Sequence, residues 1–206
     1  MIKALLLIFN GVPTWERIVE ARRTILFILS LHLLPLLLLG TGGEVYGLIH
    51  WGKPRSSEYG NPLPLAQNAA IQYGLCKIAL GLVVVLVVAK IVQSLATSFH
   101  GRQTYTQTFT CVAYGISPLF LVNLLNALPH MPAWVTWAIG VALCASVLYQ
   151  GLPRVLMPDP PHTLGLYFMS VLMLVMTTAL AQFVTSMILD HAIHNTITPA
   201  SALLKT

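Results

Sequence analysis

Residues 164–189 read LGLYFMSVLMLVMTTALAQFVTSMIL, an apolar stretch without a single Lys, Arg, Asp or Glu. A helix needs roughly 20 mostly apolar residues to cross the hydrocarbon core of a bilayer, because each residue adds only about 1.5 Å of rise. The stretch exceeds that length, and Asp190 follows it directly. It therefore predicts a membrane-spanning helix and places the chain among integral membrane proteins.

Four further apolar stretches precede it, each bounded by Pro, Gly or a charged residue. Their predicted limits are residues 24–39, 71–95, 107–126 and 133–151. The first is the shortest, and it crosses the bilayer if it takes in the preceding turn while the side chains of Arg22 and Arg23 extend to the headgroups. The predicted fold class is all-α, a polytopic membrane protein built as a bundle of five transmembrane helices.

The composition of the whole chain also favours the bilayer as its solvent. Of 206 residues, 56% are hydrophobic and 8% are charged, and the mean hydropathy is +0.78. Soluble domains carry about 25% charged residues. The net charge is +5, but the basic residues are dispersed rather than clustered, so no nucleic-acid partner is predicted.

The distribution of Lys and Arg predicts the orientation, because short cytoplasmic loops are enriched in both. A cytoplasmic N-terminus gives an inner set of Lys3, Arg17, Arg22, Arg23, Arg102 and Arg154, and an outer set of Lys53, Arg55 and Lys205. The inner set is twice as large. Since the number of spans is odd, the C-terminus is expected on the side opposite to the cytoplasm.

An amphipathic helix is predicted ahead of the first span. Trp15, Ile18 and Val19 recur at i, i+3 and i+4, while charged residues occupy the opposite side. Thr14 is the expected N-cap, and Trp15 is expected at the level of the lipid headgroups. This interfacial segment, residues 1–23, serves either as a basic anchor that fixes the topology or as a docking surface for a partner.

Gly40-Thr41-Gly42-Gly43 is expected to end the first helix, because glycine accepts the left-handed backbone of a helix C-cap. The stretch is not followed by the Gly-Lys-Ser/Thr of a phosphate-binding loop. Residues 40–67 would then form the single long loop, on the outer side. That loop either folds over the outer face or docks another subunit.

Charged and metal-ligating residues form no catalytic constellation in the sequence. The acids are all expected at interfaces or in loops: Glu16, Glu20, Glu44, Glu58, Asp159 and Asp190. Lys77 and Lys90, near opposite ends of the second span, are expected to extend to the headgroups as anchors. His191 and His194 stand three apart but lack a third ligand. The sequence therefore predicts no enzyme, no metal and no cofactor.

Uncharged polar residues in the spans are expected to join helices by hydrogen bonds, with Asn123 and Gln182 as leading candidates. His32 either makes such a bond or belongs to a proton relay. Pro118 is expected to kink the third helix, because it cannot donate to the Tyr114 carbonyl. That carbonyl needs another partner in hydrocarbon, so residues 114–118 are expected to face the bundle interior. The kink is either architectural or a hinge.

Five motifs occur in register with the five spans. They are Pro13-x-Trp15, Phe99-His100-Gly101-Arg102-Gln103-Thr104-Tyr105, Ala113-Tyr114-Gly115-Ile116-Ser117-Pro118-Leu119, a Trp134-bearing fourth span, and Tyr149-Gln150-Gly151-Leu152-Pro153 leading to Met157-Pro158. In this order they resemble the Yip domain family, named for interaction with Ypt/Rab GTPases, and particularly its small bacterial inner-membrane branch. The resemblance covers nearly the whole chain. It implies a five-helix domain over residues 24–189, followed by a C-terminal tail, residues 190–206.

The resemblance further implies a membrane domain without catalytic activity that acts through protein and lipid partners. The leading hypothesis is a scaffold or accessory subunit, with membrane lipids and other integral membrane subunits as partners. One alternative is a small transporter or channel, with a path lined by His32, Asn123 and Gln182, and another is a trafficking factor of the Rab-interacting type. The candidate structural or interaction residues are Trp15, Arg22, Arg23, Tyr114, Pro118, Asn123 and Gln182.

Overall fold

The computed structural model describes residues 2–52, 65–98, 104–128 and 131–203, and every regular element within them is helical. Five helices are long and apolar enough to cross a membrane. These first to fifth spans are Ile25–His50, Gln67–Ser98, Tyr105–Ala127, Ala133–Leu156 and Thr163–His191. The prediction of an all-α bundle with five transmembrane helices is confirmed.

Successive spans run in opposite directions, so the bundle has two ends. The near end carries the starts of the first, third and fifth spans, and the far end carries their C-terminal ends. The third span lies at the centre, because 67% of its most apolar window is buried, against 22–39% in the other four. Residues 111–120 of this span are buried without interruption. The third span is therefore the most buried of the five helices.

The first span extends to His50, so the prediction that it ends at Gly40 is wrong. The glycines serve close packing instead of capping. A methyl group on Gly47 would lie 2.5 Å from the carbonyl oxygen of Ala127, and one on Gly40 would meet the Phe120 carbonyl. Small residues at such positions let two helix backbones approach each other in a membrane. The predicted long loop is correspondingly shorter, and residues 53–64 of it lie outside the described residues.

Two spans are irregular near the middle of the bundle. In the first span a π-helical turn covers Leu29–Leu33, directly before Pro35. Because Pro35 has no N–H, the helix before it cannot keep its normal bond pattern, and a wider turn absorbs the mismatch. The third span is interrupted at Ile116, between helical pieces Tyr105–Gly115 and Ser117–Val122. The predicted break at Pro118 is thereby confirmed.

Two short helices, α1 (Ile2–Phe9) and α2 (Gly11–Glu20), precede the first span at the near end. The amphipathic helix α2 was predicted, but α1 was not. Thr14 lies inside α2, where its hydroxyl donates to the carbonyl of Asn10 at 2.7 Å, so its assignment as N-cap is wrong. At the other terminus the fifth helix continues beyond the membrane-spanning part to Leu203.

Candidate functional site

An ion pair lies inside the bundle, between Glu44 of the first span and Lys77 of the second. Their side chains are 1% and 9% exposed. Two expectations are corrected here, because Glu44 lies in a helix rather than a loop, and Lys77 reaches sideways to Glu44 rather than to the headgroups. A bare charge in hydrocarbon is costly, and pairing with an opposite charge reduces that cost.

Three uncharged side chains extend the pair into a network. The Tyr73 hydroxyl donates to Glu44 Oε1 at 2.9 Å, and the Asn126 amide donates to Glu44 Oε2 at 3.5 Å. The Thr136 hydroxyl in turn donates to Asn126 Oδ1. Four of the five spans contribute a member, and all five side chains are buried. This Glu44 network therefore ties the far half of the bundle together with bonds that demand specific geometry.

A cavity of about 50 Å³ adjoins the network at Lys77. Polar side chains from several spans line it: Thr41, Asn123, Thr178, Gln182 and Thr185. This volume accommodates a few water molecules, since one water needs roughly 10–15 Å³ on the same measure. Asn123 and Gln182 thus line the same cavity, and most of its remaining lining residues are apolar. Thr178 accepts a hydrogen bond from Trp137 Nε1 at 3.3 Å, which joins the fourth and fifth spans.

A second polar contact lies at the two irregular turns. His32, in the π-helical turn, forms a hydrogen bond of 2.8 Å between its Nε2 and the hydroxyl of Ser117. The Ser117 hydroxyl donates its proton to the Ala113 carbonyl at 2.8 Å, so it accepts the bond from His32. The ring of Tyr114 lies 4.3 Å from the His32 ring. Residues 114–118 face the bundle interior, as predicted, and Pro118 is buried with them.

The apolar face of α2 is covered by the fourth span. Trp15 is 0% exposed, and its indole N–H donates to the Val147 carbonyl at 3.2 Å. A methyl group on Gly151 would collide with the Trp15 ring, which shows how closely the two helices approach. The prediction that Trp15 lies among lipid headgroups is therefore wrong. The helix uses its apolar face to bind protein, not lipid.

The two arginines after α2 differ in their surroundings. Arg22 is exposed and has a left-handed backbone with φ of 35°, at the turn that leads into the first span. Arg23 is half-buried, with its guanidinium carbon 4.2 Å from the centre of the Phe27 ring. A cation over an aromatic face is stabilised by the ring quadrupole. Arg23 thus fixes the start of the first span.

Glu44, Tyr73 and Thr136 were not among the predicted site residues, because each joins the network only through residues on other spans. One signal was available, since Glu44 lies five residues after the predicted end of the first apolar stretch and Lys77 lies inside the second. Among the described side chains there is no group of three or more His, Cys, Asp or Glu that is placed to hold a metal ion. The side chain of His194 lies outside that description.

The fold defines a class, the polytopic α-helical membrane proteins, and this chain carries a buried polar network within its bundle. Within that class, the Yip1 domain family model matches residues 5–183, so this chain belongs to the Yip1 domain family. The match begins in α1 and ends within the fifth span, and it therefore includes α2 and every member of the Glu44 network. No curated protein and no solved structure matches the chain significantly.

Proposed function

We propose that this Yip1-family protein is a non-enzymatic scaffold or accessory subunit that packs against other integral membrane proteins. Its family is a membrane protein family not known for catalysis, and trafficking roles are consistent with it. We further propose a bacterial inner membrane as its location, with the near end of the bundle in the cytoplasm. The larger set of basic residues at that end supports this orientation.

One observation carries the proposal, the clamping of α2 onto the fourth span by Trp15. An amphipathic helix that lies on a membrane uses its apolar face for lipid. In α2 that face is occupied by the bundle, while Glu16, Arg17 and Glu20 are exposed. The helix is therefore a fixed, charged platform at the membrane boundary rather than an anchor.

The charges on this platform indicate the kind of partner. Glu16 and Glu20 are four residues apart and form one acidic stripe along the helix. Membrane helices of other proteins carry an excess of Lys and Arg at their cytoplasmic ends, at the same depth. A basic juxtamembrane segment of another integral membrane protein is complementary to the stripe, and such complementarity favours specific association.

The test is photo-crosslinking in intact membranes from a benzoylphenylalanine at position 17, between the two acids. We expect a crosslink to an integral membrane protein that is lost when Glu16→Gln and Glu20→Gln are combined. The matched control combines Asp159→Asn and Asp190→Asn, which removes two exposed charges elsewhere and should leave the crosslink intact. A crosslink that survives loss of the acids, or a chain that crosslinks to nothing, contradicts the proposal.

The cavity beside Lys77 favours a second candidate, a small transporter or channel. Proton and ion pathways in membranes commonly contain polar side chains and a buried ion pair, and this cavity has both. Liposome flux measurements with Asn123→Leu and Gln182→Leu test this, with Ser186→Ala on the exposed side of the fifth span as control. Flux that falls in the first two variants alone would favour transport over the scaffold.

A further inference from the structure

We propose that a groove at the near end of the bundle binds the headgroup of an anionic glycerophospholipid, with Arg154 as the ligand for its phosphate. The groove has a volume of about 490 Å³. It lies where α2, the end of the fourth span and the start of the fifth span meet. Its walls include Val12, Tyr149, Arg154, Leu164 and Tyr167. Nothing in the scaffold proposal requires this site, which is independent of it.

The depth of the groove matches the lipid headgroup layer. Arg154 is two residues from the end of the fourth span at Leu156, and Leu164 is one residue after the start of the fifth span at Thr163. At about 1.5 Å per residue, both lie within one helical turn of the ends of their spans. A phosphodiester group of a lipid in the same leaflet lies at this level.

Arg154 is prepared to bind an anion. One of its N–H groups, on Nη1, donates to the Gln150 carbonyl at 2.6 Å, which orients the side chain along the groove. A guanidinium has five N–H donors, so four remain for phosphate oxygens. Among the described residues, Arg154 has no carboxylate partner, because the ion pair there joins Lys77 to Glu44. An uncompensated arginine in an interfacial groove favours a lipid of net negative charge.

The remaining walls suit the other parts of a lipid. Pro153 has no N–H, so the Tyr149 carbonyl does not receive its usual helical bond and can accept one from a headgroup hydroxyl. Tyr149 and Leu164 are 60% and 61% exposed. Tyr167 is held by its hydroxyl, which donates to the Ala145 carbonyl at 3.2 Å, and its ring meets Tyr149 edge-on. Phe168 continues this apolar surface along the fifth span, where an acyl chain would lie.

A tail-bearing lipid is favoured over free phosphate by these apolar walls. Inorganic phosphate would use Arg154 alone, whereas a phospholipid also covers Leu164 and Phe168. The near end lies, in the proposed orientation, in the cytoplasmic leaflet. Phosphatidylglycerol has the required chemistry, because it combines one negative phosphodiester with headgroup hydroxyls.

Native mass spectrometry of the full chain in mild detergent tests the proposal. The probes are phosphatidylglycerol and phosphatidylcholine of equal chain length. We expect preferential retention of phosphatidylglycerol and a loss of about fivefold in its affinity in Arg154→Gln, the size expected for one interfacial cation. Arg154→Lys should recover part of the loss. Lys90→Gln, which removes an exposed cation from the second span, should retain the wild-type affinity.

Three outcomes would overturn the proposal: equal retention of the two lipids, an equal loss in Lys90→Gln, or displacement of the lipid by millimolar inorganic phosphate. The last would show a phosphate site rather than a lipid site. Leu164→Glu is a second variant that leaves Arg154 in place, and the negative charge it adds to the groove should also abolish the preference. Unchanged binding in that variant would place the lipid elsewhere.

Discussion

Lys77 and Glu44 neutralise each other across the two helices of one membrane hairpin, 33 positions apart in the chain. Both charges are buried, and the Tyr73 hydroxyl and the Asn126 amide satisfy further lone pairs of the carboxylate. Removal of Lys77 or Glu44 alone leaves the other charge buried without this partner, which is more damaging than removal of both. This asymmetry distinguishes a structural ion pair from two independent anchors.

Lys77→Met should lower the free energy of unfolding by about 3–5 kcal/mol, because it leaves the Glu44 carboxylate buried without the Lys77 ammonium. The double variant with Glu44→Gln should recover a large part of that loss. Reversible unfolding in mixed detergent micelles measures both. Lys90→Met is the control, and it should change stability by less than about 0.5 kcal/mol, since Lys90 is exposed, hydrogen-bonds to Gln93 and lies 5.7 Å from the centre of the Tyr105 ring. Equal losses in the two lysine variants would contradict the network.

Trp15→Ala should release α2 from the bundle and cost about 3–5 kcal/mol of stability. The cost arises from the cavity left against Gly151 and from loss of the indole hydrogen bond to the Val147 carbonyl. Thermal unfolding and the protease sensitivity of α2 are the measurements. Trp134→Ala removes an equally large side chain that is 70% exposed, and it should leave both readouts nearly unchanged. Equal effects of the two tryptophan variants would contradict the conclusion that Trp15 holds α2 against the fourth span.

Gly47 and Gly42 form a matched pair on the first span. Gly47→Ala should destabilise the bundle by about 1–3 kcal/mol, because the new methyl group meets the backbone of Ala127. Gly42→Ala should instead stabilise it by about 0.5–1 kcal/mol, since nothing lies within 4 Å of the added methyl group and alanine favours the helix. Opposite signs in thermal unfolding are the expected result. Equal signs would mean that the first and third spans do not cross closely at Gly47.

The proposed orientation predicts opposite accessibility at the two ends of the bundle. In a background without Cys76, Cys111 and Cys144, a cysteine at Met157 should be shielded from an impermeant maleimide outside the cell, and one at Trp51 should react. Both positions are exposed, at 70% and 56%. Inverted membrane vesicles give the converse control. Labelling of both from one face would contradict either the orientation or the odd number of spans.

The sequence predicted the spans well because a helix crosses the bilayer when roughly 20 consecutive residues are mostly apolar, and this is a local property of the sequence. The prediction that the first helix ends at Gly40–Gly43 was wrong, because glycines occur both at helix ends and at close helix crossings. Contacts with the third span show that Gly40 and Gly43 lie at a crossing. The interior position of residues 114–118 was predictable from one missing N–H of Pro118. For Glu44 the same information was insufficient, since its partners Lys77, Tyr73 and Asn126 come from two other spans.

The clamp between Trp15 and Val147 also sets an order of events during synthesis. Its two members are 132 residues apart, and a ribosome adds about 5–20 residues per second. Roughly 7 to 26 seconds therefore pass after Trp15 is made before its acceptor carbonyl exists. Throughout that interval the apolar face of α2 has no fourth span to cover it. During synthesis the apolar face of α2 must therefore first contact the bilayer or a chaperone. It contacts the fourth span only after that span is inserted.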